Sequence, residues 1–372
     1  MSATLKSFTI GSFRGLRHLA FQDLGRFNLL VGENNCGKTS ILEALLLFAQ
    51  PGDGKNWLRV LKARGAALNS EILGDSIGWL FGRDNRDPNS PWIPIELEGN
   101  GAHGSERLRF SLHLESKVVE LPTRNKEVSG DASEDDEKVL TVAHVDAEWT
   151  SSHDGSKSGE MVFEPIPQRG MQVSFRARFD PAVKAIRKIP AVLAKPNVHR
   201  NSEAASAAYT AAIQRNLKTR LVHAAQAFDP DILDLDLVAQ ADLSSVLVIH
   251  GKLGPVPLHA FGDGLRKAIV VTGKALEAAD GILLIDEAET ALHVSMQEAF
   301  FNSLHHLCEE LNVQVFLTTH SIESVDAVLA AFDADLEKLT CFRLEKNGEV
   351  LAKRFSGESL KDLRMVLGQE IR

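Results

Sequence analysis

One eight-residue segment, residues 32–39, limits what this chain can fold into more than any other feature. Its sequence, GENNCGKT, fits the pattern G-x-x-x-x-G-K-[ST] and lies between the apolar run RFNLLVG and the breaker-free segment SILEALLLFA. In that context the glycines let successive backbone N–H groups surround phosphate oxygens, and the helix that follows adds partial positive charge. We therefore expect a strand, a phosphate-binding loop and a helix over residues 40–49.

The side chains of this loop suit a nucleoside triphosphate. Lys38 can reach the β- and γ-phosphates, and the Thr39 hydroxyl can ligate Mg²⁺. The other interpretation is a glycine-rich structural turn. The residues that we expect to contact the nucleotide are Gly32, Asn34, Asn35, Cys36, Gly37, Lys38, Thr39 and Ser40.

A second segment, GILLIDE at residues 281–287, predicts a buried strand that ends in two carboxylates. Asp286 would hold Mg²⁺ directly or through water, and Glu287 would polarise the attacking water. Adjacent carboxylates need a nearby cation to stay ionised together, which Mg²⁺ supplies. Taken alone, the pair could equally cap a loop.

A third segment, Thr318-Thr319-His320, ends the next apolar run. His320 could hydrogen-bond the γ-phosphate and so report its presence. The alternative is a polar residue at a helix start, which the possible N-cap Ser321 favours.

The spacing of apolar residues predicts four sub-regions of a single domain. They are N-terminal strands and the loop helix at 1–91, an antiparallel β meander at 92–180, a helical basic lobe at 181–255, and alternating strands and helices ending in a hairpin at 256–372. Within them we expect a helix over residues 57–67 and exposed hairpin tips at 129–138 and 151–159. This arrangement indicates an α/β fold with a mostly parallel sheet.

The charge is distributed unevenly. The whole chain has 41 Lys and Arg against 50 Asp and Glu, yet residues 181–223 contain eight basic residues and one acidic residue. Residues 280–312 contain seven acidic residues and no basic one. Lys184, Arg187 and Lys188 could contact duplex DNA phosphates, or the basic segment could be solvated or pair with the acidic one.

Cysteine usage and hydropathy exclude several classes of protein. The three cysteines show no paired spacing, which argues against a disulfide scaffold and a zinc site. The first residues contain no apolar run typical of a signal peptide, and no later run reaches the roughly 20 residues that span a bilayer. We expect a cytoplasmic protein without a membrane partner.

The order of the motifs resembles the SMC/RecF/OLD branch of ABC-type ATPases. The resemblance rests on FRG at 13–15, GENNCGKTS, FGDG at 261–264, LIDEAETALH and VFLTTHS. PLHAFGDGLRKAI and FDPDILDLDL are most similar to short OLD-like ATPases of bacterial phage-defence systems.

The resemblance implies an ABC-type head that binds ATP and Mg²⁺ in a homodimer. Two copies would sandwich ATP, with Gly262, Asp263 and Gly264 of one copy facing the γ-phosphate bound by the other, although Gly262 replaces the usual serine. It also implies Lys38, Glu287 and His320 as catalytic residues and Thr39 and Asp286 as metal ligands. Arg14 of FRG would contact the nucleotide, or its stem would pack on the meander.

The function implied is that of an ATP-hydrolysing switch in an anti-phage system. OLD nucleases carry a Toprim domain, for which residues 321–372 are too few, so we expect a separate nuclease-like effector. The alternative is a RecF-like ATPase that binds DNA through the basic segment during repair.

Overall fold

A computed structural model describes residues 4–62, 73–83, 90–120, 137–167, 173–240 and 243–371. The chain forms two compact units that alternate along the sequence. The first contains Met1–Phe8, Ala20–Leu42 and Ile189–Arg372, and the second contains Thr9–Leu19 and Glu43–Lys188. The four expected sub-regions therefore do not coincide with the two units.

From residue 263 onward, helices and strands alternate until the terminal hairpin, as the sequence predicts for residues 256–372. The strands are β1 (Leu5–Phe13), β2 (Leu16–Phe21), β3 (Phe27–Gly32), β4 (Ile95–Gly101), β5 (Gly104–Glu120), β6 (Glu137–Ser151), β7 (Gly155–Pro167), β8 (Val173–Phe179), β9 (Ala191–Ala194), β10 (Ile232–Gln240), β11 (Leu243–His250), β12 (Gly254–Pro257), β13 (Ile282–Ile285), β14 (Gln314–Thr318), β15 (Leu339–Asn347) and β16 (Glu349–Ser356). The helices are α1 (Lys38–Ala49), α2 (Gly54–Lys62), α3 (Leu73–Phe81), α4 (Pro181–Lys184), α5 (Ser202–Gln214), α6 (Lys218–Gln226), α7 (Asp263–Glu277), α8 (Val294–Glu310), α9 (Ile322–Ala331) and α10 (Gly357–Lys361), with a π-helical turn at Asp362–Val366.

The first unit is built on a six-stranded sheet in the order β16-β15-β3-β14-β13-β9. All of its neighbouring pairs are parallel except the terminal hairpin of β15 and β16. Every residue of β3, β13 and β14 is buried. Their continuous apolar sequences are typical of strands in a parallel sheet covered on both faces, which confirms the predicted α/β class.

The second unit contains the predicted antiparallel meander. Its sheet has the order β2-β1-β4-β5-β6-β7-β8, and β4 to β8 pair antiparallel in sequence. Helix α2 ends at Lys62, so residues 63–67 of the expected helix lie outside the described residues, as do residues 129–136 of the first hairpin tip. The second expected tip falls at the turn between β6 and β7.

The expectation of a helical lobe at 181–255 needs correction. Residues Ala191–Ala194 form β9, an edge strand that pairs with β13, and β10, β11 and β12 form a separate antiparallel sheet. A four-residue strand is too short to show a period of its own, so only its pairing partner defines it. The alternation in ILDLDLVAQ, by contrast, was a visible strand signal. Among the described residues, no helix has the length and apolar composition needed to cross a membrane.

Candidate functional site

The predicted motifs meet at one edge of the six-stranded sheet. The phosphate-binding loop follows β3, Asp286 and Glu287 follow β13, and His320 follows β14. These three strands are parallel neighbours in the order β3-β14-β13. Their carboxyl ends therefore lie side by side, which is where open α/β sheets bind ligands.

The backbone of the loop needs its glycines. Gly32 and Gly37 have φ values of 148° and 95°, and Asn35 between them has a φ of 64°. A Cβ atom on Gly32 would lie 2.7 Å from the carbonyl oxygen of Leu344. Positive φ and this close approach together make glycine necessary at residue 32.

Lys38 lies at the start of α1, with its ammonium group against the loop. Its Nζ donates to the carbonyl oxygens of Gly32 at 2.6 Å and Glu33 at 2.8 Å. Of the other predicted contacts, Asn34 and Asn35 are exposed, whereas Cys36 and Ser40 are buried. The asparagines are thus on the accessible side of the loop.

Two oxygen-bearing side chains expected to hold Mg²⁺ are adjacent. The Thr39 hydroxyl lies 3.1 and 3.0 Å from the two carboxylate oxygens of Asp286, which is 7% exposed. A hydroxyl and a carboxylate beside a phosphate-binding loop are the oxygen donors that Mg²⁺ takes together with nucleotide phosphates. The donor set therefore fits this ion.

Thr318 is a site residue that the sequence reasoning did not single out. Its hydroxyl donates to Asp286 Oδ1 at 2.8 Å and accepts from the backbone N–H of Glu287 at 2.8 Å. The side chain is fully buried. Thr318 thus connects the end of β14 to both carboxylate residues that follow β13.

The loop after β13 contains two non-glycine residues with positive φ, and a buried lysine donates hydrogen bonds to its backbone. Glu287 and Ala291 have φ values of 48° and 65°. The Glu287 carboxylate accepts a hydrogen bond from Thr290 Oγ1 at 3.2 Å. The Nζ of Lys267 on α7 donates to the carbonyl oxygens of Glu287, Ala288 and Thr290.

His320 is half-exposed and bound to a carboxylate. Glu289 Oε1 lies 2.9 Å from His320 Nδ1 and accepts from the backbone N–H of His320 at 3.0 Å. The bond to Nδ1 orients the ring and leaves Nε2 for another partner. Glu289 belongs to the AETALH segment, but its pairing with His320 had no signal in the sequence because their relation is purely spatial.

The start of α7 contains the three residues predicted to act on a partner's nucleotide. Gly262 is the N-cap, and no atom lies within 4 Å of a Cβ built there. The Asp263 carboxylate accepts from Arg266 Nη1 at 2.8 Å and lies 3.5 Å from His199 Nε2. Because burial lowers the pKa of His199, Arg266 supplies the positive charge that offsets Asp263.

Arg14 lies in the second unit, in the turn between β1 and β2, with a φ of 53°. Its guanidinium group forms an ion pair with Glu43 at 3.1 Å and donates to the carbonyl oxygen of Val60 at 3.3 Å. Glu43 is fully buried in α1. The side chain is thus held by protein partners of its own unit, and its contact with nucleotide stays a prediction.

The basic segment is divided between the two units and partly neutralised. Lys184, Arg187 and Lys188 lie in the second unit, where Arg187 pairs through two nitrogens with the buried Glu106. In the first unit, Lys218 pairs with Asp234 and Arg220 with Glu310. Glu310 belongs to the acidic segment, so one ion pair of the predicted kind between the two segments is present.

A comparison with protein families agrees with this geometry. The model described as "AAA domain, putative AbiEii toxin, Type IV TA system" matches residues 27–326, which include every motif of the sheet edge. The chain belongs to this family.

Individual proteins are also similar to this AAA-domain chain. An ATP/GTP phosphatase of Helicobacter pylori is 24% identical over 375 residues, which cover 96% of this chain and 97% of that protein. The DNA replication and repair protein RecF of Teredinibacter turnerae is 32% identical over 116 residues, 30% of each chain.

A solved structure supports the fold. It is an SMC head bound to the C-winged helix domain of ScpA, with a TM-score of 0.50, 13% identity and coverage of 95% of this chain and 98% of that one. Together, these likenesses confirm the predicted SMC/RecF/OLD-like branch of ABC ATPases.

Proposed function

We propose that this ATPase-family chain binds ATP with Mg²⁺ at the edge formed by β3, β14 and β13 and hydrolyses it. The observation that carries the proposal is the convergence of Thr39 and Asp286, within 3.1 Å, beside the loop that contains Lys38. A structural glycine turn would not need a hydroxyl and a carboxylate from a separate strand at this place.

Several residues of the site have separate roles in the proposed hydrolysis. Lys38 and the loop N–H groups bind and orient the phosphates, and Glu287 accepts a proton from the attacking water. His320, whose ring Glu289 orients, would hydrogen-bond the γ-phosphate through Nε2. Mg²⁺, held by Thr39 and Asp286, would neutralise charge on the β- and γ-phosphates.

The second part of the proposal is a homodimer that sandwiches ATP. Gly262, Asp263 and Gly264 of one copy would face the γ-phosphate held by the other, where the N-terminus of α7 favours negative charge. The open space around Gly262 leaves room for a phosphate to approach the backbone. Arg266 offsets the carboxylate of Asp263, which would otherwise repel the phosphate.

The third part concerns what the switch controls. Loss of the γ-phosphate removes contacts that bridge the copies, so hydrolysis would open the dimer. We propose that this opening regulates a separate nuclease-like effector in the cytoplasm, in an anti-phage defence system. The resemblance to short OLD-like ATPases and the toxin-system description of the family support this role.

A second candidate is a RecF-like ATPase that binds duplex DNA. The partial likeness to RecF favours it. So do the exposed residues Lys184, Lys188, Arg200 and Arg215, for which the described part of the chain offers no acidic partner. DNA binding through such residues would weaken steeply with salt because phosphate contacts release counterions.

The decisive experiment compares the variants Glu287→Gln and Glu298→Gln. We expect Glu287→Gln to slow phosphate release from ATP by about 10²–10⁴-fold and to accumulate an ATP-bound dimer in size-exclusion chromatography. Glu298 is exposed on α8, so its variant should keep normal turnover. Normal turnover in Glu287→Gln would show that this carboxylate is not the base.

A binding measurement tests the site independently of turnover. Lys38→Ala should lose affinity for a fluorescent ATP analogue, and removal of Mg²⁺ with EDTA should abolish phosphate release. Unchanged nucleotide affinity in Lys38→Ala would remove the basis of the proposed site. Stimulation of turnover by duplex DNA would favour the second candidate over the effector role.

A further inference from the structure

Lys267 is a buried lysine with no part in the proposed chemistry. It lies on α7 with 1% exposure, and its Nζ donates to the carbonyl oxygens of Glu287 at 3.1 Å, Ala288 at 2.9 Å and Thr290 at 2.6 Å. Three acceptors match the three N–H donors of an ammonium group. Burial lowers the pKa of Lys267 to about 8, while the nearby carboxylates of Glu289, Glu287 and Asp286 favour its charged form.

The three carbonyl groups belong to a strained loop. Glu287 and Ala291 both adopt positive φ, which is unfavourable at a non-glycine residue, so the surroundings must impose it. Lys267 binds the loop between these two residues. It therefore holds the backbone that aims the Glu287 carboxylate.

The same helix contacts the loop at a second point. A Cβ on Gly264 would lie 3.3 Å from the carbonyl oxygen of Ala291, so the first turn of α7 lies directly against the loop. Lys267 follows Asp263 by four residues, about one helical turn. At the other side of the loop, Glu289 binds His320. Contacts thus run continuously from the start of α7 to His320.

We propose that Lys267 is a positioning residue that couples the start of α7 to the loop at residues 287–290 of the same subunit. The inference rests on the proposed function, in which the start of α7 faces the nucleotide of the other copy. Docking of that nucleotide on α7 fixes, through Lys267, the Glu287 and His320 that act on the subunit's own ATP. Each site then becomes competent only when the opposite site is filled.

The test compares Lys267→Met with Lys274→Met. Lys274 lies on the same helix but pairs with Glu277 and does not contact the loop. We expect Lys267→Met to lower kcat about 10- to 100-fold while the Kd for a fluorescent ATP analogue changes less than threefold. Lys267→Arg, which keeps the charge and several donors, should recover at least part of the loss. Lys274→Met should match the wild type.

An unchanged kcat in Lys267→Met, or an equal loss in Lys274→Met, would overturn the proposal. If circular dichroism shows that Lys267→Met does not fold, Lys267→Gln replaces it: its amide can still donate two hydrogen bonds that support folding, but its side chain is shorter and lacks the third donor, so kcat should still fall. A Gln variant with wild-type kcat would likewise refute the coupling. Lys38→Ala and Glu287→Gln are measured alongside: if they keep turnover, the proposed function itself fails. If they lose turnover and the Lys267 variants do not, only the coupling fails.

Discussion

At the scale of single residues, Thr318 shows how a buried hydroxyl organises charged groups. It donates to Asp286 and accepts from the Glu287 backbone, so it fixes both the carboxylate proposed to hold Mg²⁺ and the start of the loop after β13. A buried N–H that loses its acceptor bears the full cost of its lost hydration. We therefore expect the hydroxyl of Thr318 to contribute both to stability and to turnover.

We predict that Thr318→Val lowers the free energy of unfolding by about 1–3 kcal/mol, because it keeps the shape but leaves the Glu287 N–H unsatisfied. It should also raise the Mg²⁺ concentration needed for half-maximal ATP hydrolysis. Urea unfolding and Mg²⁺ titrations measure the two effects. Thr319→Val is the matched control, since within the described part of the chain the Thr319 hydroxyl accepts from the Ser321 N–H and does not contact Asp286 or Glu287. An equal rise in the Mg²⁺ requirement of both variants would contradict the assigned role.

The sequence was sufficient to bring together residues whose positions follow from local spacing in motifs. Lys38, Thr39, Asp286 and Glu287 occupy fixed places in motifs, and the structure brings them to one edge of the sheet. The contacts of Lys267 were not predictable from the sequence. Buried residues occur on nearly every side of α7, so its sequence does not distinguish a buried lysine from a solvated one. The partners of Lys267 are carbonyl oxygens, which every residue carries, so no pattern reveals them.

At the scale of elements, α7 packs against α5 at very short range. A Cβ on Gly273 would lie 2.1 Å from the Cβ of Ala208, so the two helices approach as closely as they do only because residue 273 has no side chain. This contact places the helix that contains Lys267 and begins at Asp263.

We predict that Gly273→Ala destabilises the protein by about 1–3 kcal/mol, because overpacking forces α5 and α7 apart. Helix propensity alone would predict a gain of about 1 kcal/mol, so the sign of the change distinguishes the two effects. Thermal unfolding measures it. Gly15→Ala is the control, since Gly15 lacks a positive φ and no atom lies within 4 Å of its added Cβ. A stabilised Gly273→Ala variant would mean that α5 and α7 leave room for a methyl group at residue 273.

The helix α8 and the strand β15 each place a thiol in the core of the first unit. Burial raises the pKa of Cys308 and Cys341 above the ordinary value of 9.0. Above pH 9 the unfolded chain loses these protons while the folded chain keeps them, so stability falls as pH rises, by up to about 1.4 kcal/mol per pH unit for each thiol.

We predict that the loss of stability above pH 9 is shallower in a double variant with Cys308→Ala and Cys341→Ala. Urea unfolding between pH 8 and 10.5 gives the slopes for both proteins. The variant starts from a lower stability because of the cavities, so the slopes and not the absolute values are compared. Parallel slopes would show that the thiols ionise equally in both states.

Elements with a clear period of apolar residues were predictable, whereas elements that form only by pairing with a neighbouring strand were not. Helix α1, which ends at Ala49, covers the helix expected over residues 40–49, and strand β13 lies within the segment 281–287 that predicts a buried strand. Strand β9 did not, because its four residues become a strand only through pairing with β13. The residues around β9 are basic and helix-like in composition, so they do not indicate this strand pairing.

Across the whole molecule, ion pairs within the chain decide which basic residues remain available to bind a partner such as DNA. Arg187 was grouped with Lys184 and Lys188 as a DNA contact, but its guanidinium binds both oxygens of Glu106, whose side chain is 7% exposed. Breaking such a pair leaves a buried carboxylate without a counter-charge.

We predict that Arg187→Gln lowers stability by about 3–5 kcal/mol, whereas Lys184→Gln combined with Lys188→Gln changes it by less than about 0.5 kcal/mol. If duplex DNA binds, the double lysine variant should reduce the slope of log affinity against log salt by about 1 for each lost contact. Thermal unfolding and fluorescence anisotropy at several salt concentrations provide the data. An unchanged melting temperature in Arg187→Gln would contradict a structural role for this pair.

The alternation of the two units along the chain affects how the protein is made. Strand β3, which leads into the phosphate-binding loop, pairs with β14 at Val315 and with β15 at Leu339, both near the other end of the sequence. During synthesis on the ribosome, the early strand must wait for almost the entire polypeptide before its sheet can close. A nascent chain is therefore inactive until its last strands emerge, and a truncated translation product lacks the nucleotide site even though it contains the complete loop.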